Sequence, residues 1–255
     1  MAQALLFPLL ESGQLPLADV RAAVASEASA QRLRQARADL QVGTDAAAAW
    51  RCGAVLLAVK PQQLDAVAAA APAVEAAEPP LLISVLAGVT VARLQRLFPG
   101  YRVVRAVPNT PCLVRAGLTG LAWGEGLQPE QRAWVMGLFA QVGEVLELPE
   151  PQLDAFLALT SSGPAFVALV AEAMADGAVA AGLPRPQAHH LAHRTLAGTA
   201  ALLQEQQLHP AQLKDMVSSP GGTTIAGIRA LEQGGLRSAL IEAVLAAAER
   251  SRQLG

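Results

Sequence analysis

Residues 54–61 read Ala54-Val55-Leu56-Leu57-Ala58-Val59-Lys60-Pro61. An unbroken apolar run closed by lysine and proline is too short for a globular helix and fits a strand buried on both faces. Pro61 then fixes the backbone for a turn into the helical pattern of residues 62–71. The same grammar repeats on either side. Residues 20–25 read as a strand and 29–38 as a helix. Residues 81–85 are a second buried strand, broken at Ala87-Gly88 before a short helix from Thr90. Residues 103–107 and 118–123 look like further strands, with Asn109-Thr110-Pro111 as the break between them. Residues 129–142 are helical and 144–148 form a last short strand. This alternation predicts an α/β domain over residues 1–150, a Rossmann-like, doubly wound, mostly parallel sheet.

After Pro151 the pattern changes. Residues 151–255 contain helices punctuated by Gly and Pro and no convincing strand. Ser162-Gly163-Pro164 opens a long helix to Ala181, with Ser161, Ser162 and Gly163 available as caps and Pro in the first turn. Gly182-Leu183-Pro184 ends it. This helix is apolar on nearly every face, so it must be covered on nearly every face. The sequence therefore predicts an all-α second domain that dimerises.

Composition narrows the function. Apolar residues make up 53% and charged residues 16%, and the net charge is −2 without any block of like charge. Such a chain folds, and it offers nothing to nucleic acid or an anionic membrane. Cys52 and Cys112 are far apart and fit a reducing compartment better than a disulfide framework. The N-terminus lacks the basic start of a signal peptide, and the run 81–92 is too short to span a bilayer, so a soluble, cytoplasmic protein is expected. Of 19 basic residues only Lys60 and Lys214 are lysines, and both fall inside motifs.

The sharpest motif is KDMVSSPGGTT, residues 214–224. Pro220-Gly221-Gly222 makes a tight turn into a helix beginning near Thr223, whose first amides, from Gly221 to Thr224, lack partners within the helix. With the helix dipole they form a site for a carboxylate or phosphate. A plain helix–helix turn with a Thr cap reads the same residues as well. Lys60 at a strand end is open in the same way, as a solvated charge or a ligand contact. So is Asn109, where an Asx turn competes with ligand contact. His189 and His193 are four apart on a helix but have no third ligand at a suitable spacing, so no metal is expected.

KDMVSSPGGTT resembles the signature of the pyrroline-5-carboxylate reductases. The likeness continues through IAGIRALEQGGLRSALIEAVLAAAERSRQLG to the C-terminus. It also covers LTSSGPAFVALVAEAMADGAVAAGLPR, VVRAVPNTPCLVRAG and LLAVKPQQL in order. The resemblance implies reduction of 1-pyrroline-5-carboxylate to L-proline by NADPH, with NADH as the other nicotinamide donor, in the last step of proline biosynthesis. It implies that Ser219, Gly221, Gly222, Thr223 and Thr224 hold the substrate, with the Thr224 hydroxyl on the ring nitrogen as the catalytic group. It implies cofactor contacts at Ala58, Val59, Lys60 and Pro61, at Ala87, Gly88 and Val89, and at Asn109. It also implies a homodimer through the C-terminal helices, assembling further into a ring of dimers.

One departure from the family pattern stands out. The chain opens on Met1-Ala2-Gln3-Ala4-Leu5, which resembles the helix after the family's first strand and glycine-rich phosphate loop. The sheet is therefore expected to lack that strand, and a non-catalytic oligomer keeping the proline-like site is the alternative reading. A related imine reductase is a second alternative, which SPGGTT argues against. For the 2′-phosphate of the cofactor, Ser26 and Ser29 are suited, Glu27 is not, and the first arginine is Arg32.

Overall fold

The computed structural model describes residues 2–13, 15–74 and 78–253. Met1 and Gly255, the outer bounds of the two expected domains, lie outside the described residues. The chain divides into two compact units, Met1–Ser161 with Ala247–Gly255, and Ser162–Ala246.

The first unit runs α1 (Ala2–Glu11), β1 (Arg21–Ala23), α2 (Glu27–Ala36), β2 (Gln41–Gly43), α3 (Ala47–Trp50), β3 (Ala54–Leu57), α4 (Leu64–Ala69), β4 (Leu81–Ser84) and α5 (Val91–Leu97). It continues with β5 (Arg102–Pro108), β6 (Gly117–Trp123), α6 (Pro129–Ala140), β7 (Gly143–Glu147) and α7 (Leu153–Thr160). Strands β3, β4 and β5 are parallel, β6 is antiparallel to β5, and β7 is parallel to β6. The expected mostly parallel sheet is thus present, with one reversal that apolar runs alone do not announce.

Alternation along the strands explains why the sheet is covered on both faces. Leu81, Ile83, Val104 and Ala106 enter one core with Leu5 and Leu9 of α1 and Val135, Leu138 and Phe139 of α6. Leu82 and Val103 point the other way, to Leu94 and Phe98 in and after α5 and to Trp50 of α3. Each fully buried Leu, Ile or Phe contributes about 1.5–3 kcal/mol of transfer free energy. The tight approach of α7 to β6 needs Gly120, where a Cβ would meet Leu153 Cδ2 and Phe156 Cδ1, each at 2.9 Å.

The sheet is split. β1 and β2 pair only with each other, while β3 to β7 form a separate five-stranded sheet. Both are parallel where β1 meets β2 and where β3 meets β4. β3 is an edge strand of the five-stranded sheet, and Leu56 within it is 36% exposed.

The second unit holds α8 (Gly163–Ala180), α9 (Arg185–Glu205), α10 (Pro210–Met216), α11 (Thr223–Gln233) and most of α12 (Leu236–Arg252). α8 and α9 pack through alanines, with Ala175, Ala188 and Ala192 buried. Little else is. Val167, Leu169, Met174, Leu191, Ile241 and Leu245 are exposed. The stretch Glu150–Ala180 is apolar and long enough to cross a membrane by length and composition. It is broken between Thr160 and Gly163, and α8 carries Glu172 and Asp176.

Candidate functional site

Because β3, β4 and β5 are parallel, the turns that follow them lie on one edge of the sheet, the edge where open α/β sheets bind ligands. After β3, Ala58 and Val59 are half-buried and Lys60 is exposed, in extended conformation, just before the 3-10 turn Pro61–Gln63. After β4, Ala87 is exposed while Gly88 and Val89 are buried. Gly88 has φ +75°, a left-handed conformation in which any side chain is strained. Val89 is 1% exposed and belongs to the core. Thr90 caps α5, its hydroxyl accepting from the Arg93 amide at 3.2 Å.

Asn109, at the end of β5, is 4% exposed and hydrogen-bonded at both ends of its side-chain amide. Its Nδ2 donates to the Thr160 carbonyl at 2.9 Å and its Oδ1 accepts from the Leu118 amide at 2.9 Å. The side chain thereby ties β5 to β6 and to the end of α7. Beside it the Ser161 hydroxyl donates to the Pro108 carbonyl at 3.2 Å. Ser162, expected to cap the long helix, makes no side-chain capping bond.

The turn after β1 leads to α2. Ser26 caps that helix, accepting from the Ser29 amide, and Arg32 Nη2 donates to Ser29 Oγ at 2.9 Å. Glu27, unfavourable for a phosphate, is paired with Arg34 at 2.6 Å. Two hydroxyls and a guanidinium are therefore left together at the start of a helix.

In the helical unit, Gly221 has φ +68° and leads into Gly222, the N-cap of α11. One amide expected to be open is not: Gly222 N–H donates to the Ser219 carbonyl at 3.0 Å, closing the turn. The first helical N–H groups, those of Thr223 and Thr224, have no backbone acceptor within α11. Thr223 is exposed and Thr224 half-buried. A Cβ at Gly222 would run into the Ser219 hydroxyl and lie 3.2 Å from its carbonyl. The SPGG turn is thus closed on itself by the Gly222–Ser219 bond. Lys214, on α10, has its carbonyl bound by the Ser218 hydroxyl at 2.6 Å.

The remaining candidates fall elsewhere. His209 caps α10, with Nδ1 accepting from the Ala211 amide at 3.2 Å. The rings of His189 and His193 are 6.3 Å apart. Cys112 is buried, and burial pushes its thiol pKa up, so it is an inert core group. A shallow apolar depression of about 400 Å³, lined by Gly53, Ala54, Leu81 and Trp134, sits at the amino ends of β3 and β4, away from the turns. Reading the sequence alone overlooks Arg105, buried in β5 at 2% exposed. The only signal for it is a lone charge inside the apolar run VVRAVP.

A mostly parallel sheet with glycine and lysine turns along one edge, followed by a helical unit, is the arrangement of the dinucleotide-dependent oxidoreductases. Comparison with known proteins narrows the class. The family description for pyrroline-5-carboxylate reductase dimerisation matches residues 150–254, and that for NADP oxidoreductase, coenzyme F420-dependent, matches residues 1–88. A pyrroline-5-carboxylate reductase of Synechocystis sp. is 53% identical over 201 residues, 79% of this chain and 74% of that one. One of Methanosarcina acetivorans is 43% identical over 223 residues, 87% of this chain and 82% of that one. The solved pyrroline-5-carboxylate reductase of Coxiella burnetii matches with TM-score 0.87 at 32% identity, over 100% of this chain and 94% of that one. The Plasmodium falciparum pyrroline carboxylate reductase with NADP bound matches with TM-score 0.88 at 25% identity, over 99% and 94%. The chain belongs to the pyrroline-5-carboxylate reductase family.

Proposed function

We propose that this chain reduces 1-pyrroline-5-carboxylate to L-proline with NADPH, the last step of proline biosynthesis, in the cytoplasm. Residues 1–150 serve as the dinucleotide-binding domain and 151–255 as the substrate-binding and dimerisation domain, with dimers assembling further into a ring. The carrying observation is the start of α11, where a closed SPGG turn leaves the Thr223 and Thr224 amides without helical partners.

In this reading the substrate carboxylate rests on those amides and on the Gly221–Gly222 backbone, where the helix dipole favours negative charge. Ser219 holds the turn shut through its carbonyl. The Thr224 hydroxyl hydrogen-bonds the ring nitrogen, which it can do as donor or acceptor without charge of its own. When bound, NADPH supplies a hydride to the imine carbon while the nitrogen carries the proton. The imine enters protonated, so no strongly shifted acid is needed, and alignment provides most of the acceleration.

The residues present fit two ends of the cofactor. The Ala58–Pro61 and Ala87–Val89 turns offer backbone to the nicotinamide half, and Lys60 adds a charge at the strand end. Ser26, Ser29 and Arg32 suit the 2′-phosphate that distinguishes NADPH from NADH, with Glu27 neutralised by Arg34. Asn109 stands at the third strand end, after β5, with both of its polar ends bonded within the protein.

Thr224→Val keeps the shape and removes the hydroxyl, so kcat is expected to fall by on the order of 100-fold. Thr224→Ser is expected to stay close to the parent. Equal activity of the Val variant would remove Thr224 from the chemistry. One observation favours a second reading, a ligand-binding oligomer without reductase activity: the sheet is split between β1 and β3, beside the edge that must carry the pyrophosphate. Titration with NADPH separates the two readings, since only the reductase binds it.

A further inference from the structure

Arg105 is a charged side chain buried to 2% exposure inside β5, and neither Nε nor Nη2 has a hydrogen-bond partner among the described residues. Such a group costs stability unless it holds something in place. Its Nη1 donates to Glu150 Oε1 at 3.1 Å, and its Nη2 lies 3.5 Å from Asp154 Oδ1. The two carboxylates reach different places. Glu150 Oε1 also accepts from the Val91 amide at 2.7 Å, the first residue of α5. Asp154 Oδ1 accepts from the Ser251 hydroxyl at 2.7 Å, near the end of α12.

The Glu150 arm ends on the turn between β4 and α5. That turn is fixed at its start by the Leu86 amide donating to Ser84 Oγ at 3.4 Å, and it passes through left-handed Gly88. At its far side the tether is Glu150 on Val91, together with the Thr90 cap. A carboxylate left to itself, 30% exposed, would turn to water; the buried guanidinium keeps it aimed at the helix start. We infer that Arg105 is a positioning residue for cofactor binding: through Glu150 it sets the shape of the turn at residues 86–90, which takes the nicotinamide nucleotide. This rests on the reading of Ala87, Gly88 and Val89 as cofactor contacts. Asp154 steadies the guanidinium from its other side, and Ser251 belongs to that arm only.

The test compares Arg105→Met, Glu150→Ala, Glu150→Gln and Ser251→Ala in the full chain by two readouts. The first is deuterium exchange of the amides at residues 86–91 without cofactor. Loss of one anchoring hydrogen bond corresponds to about tenfold faster exchange there in Arg105→Met and Glu150→Ala. Glu150→Gln, which keeps an acceptor for Val91 and folds with least disturbance, is expected to fall between these and the parent. Ser251→Ala is expected to leave the segment unchanged. The second readout is kinetic: KM for NADPH rises about tenfold in the two loosened variants, while kcat at saturating NADPH and KM for the imine stay near the parent values. Unchanged exchange in Arg105→Met, or the same increase in Ser251→Ala, overturns the inference. So does faster exchange with an unaltered KM for NADPH. A parent protein that takes no NADPH refutes the proposed function instead, and the exchange data still decide whether Arg105 holds the turn.

Discussion

Asn109→Ala separates two roles for one side chain. Asn109 stands at a strand end where a ligand contact is natural, yet both of its polar ends are used within the protein, on Thr160 and Leu118. Truncation removes two hydrogen bonds, each contributing about 1 kcal/mol net, and leaves a buried carbonyl and an amide in need of partners. The expected loss is about 2–4 kcal/mol in all. For a chain of this size that corresponds to a fall in melting temperature of roughly 4–16 °C. The assay is thermal unfolding followed by circular dichroism, with a urea titration to show that the midpoint moves and the slope does not. NADPH affinity, measured well below the new melting temperature, is expected to change little. A melting temperature within about 1 °C of the parent, combined with a large loss of NADPH affinity, would refute the reasoning and make Asn109 a direct cofactor ligand.

Three further outcomes are expected. Gly222→Ala forces a methyl against the Ser219 hydroxyl, so proline affinity should drop, and adding Ser219→Ala should restore part of it; no drop in the single variant would mean the turn is not the carboxylate site. Leu169→Glu places a charge on an exposed apolar stretch of α8, so light scattering should show dimers giving way to monomers, and an unchanged mass would put the interface elsewhere. Burial raises the Cys112 pKa in the folded chain, so its contribution to stability is complete below the ordinary thiol value of about 8.5 and is lost as pH rises above it. Between pH 7 and 9.5 the urea midpoint of the parent should therefore fall further than that of Cys112→Ala, and equal falls would contradict the burial argument.

How much of this was readable in the sequence depends on how locally each feature is encoded. β3 and β4 are largely apolar runs and β5 is one interrupted by Arg105, and such runs have few other fates in a folded chain. β2, three residues with valine between glutamine and glycine, carries no period of its own and exists because it pairs with β1. The reversal at β6 is equally silent, since a strand buried on both faces reads alike in either direction. The SPGGTT turn was legible through its glycines and the helix that follows, but not the bond from Gly222 to Ser219 that takes one expected amide out of use. Asn109 and Arg105 find their partners 51 and 45 residues away. No local pattern announces contacts at that distance.

The claim underlying all of this is that the chain moves a hydride onto a cyclic imino acid held by the start of α11. Mixing the purified protein with NADPH and 1-pyrroline-5-carboxylate, following absorbance at the reduced-nicotinamide band and quantifying proline in the same sample, addresses it most directly. One proline formed for each NADPH oxidised is the expected result. Proline binding without any oxidation of NADPH would contradict it and leave the ligand-binding oligomer as the better account.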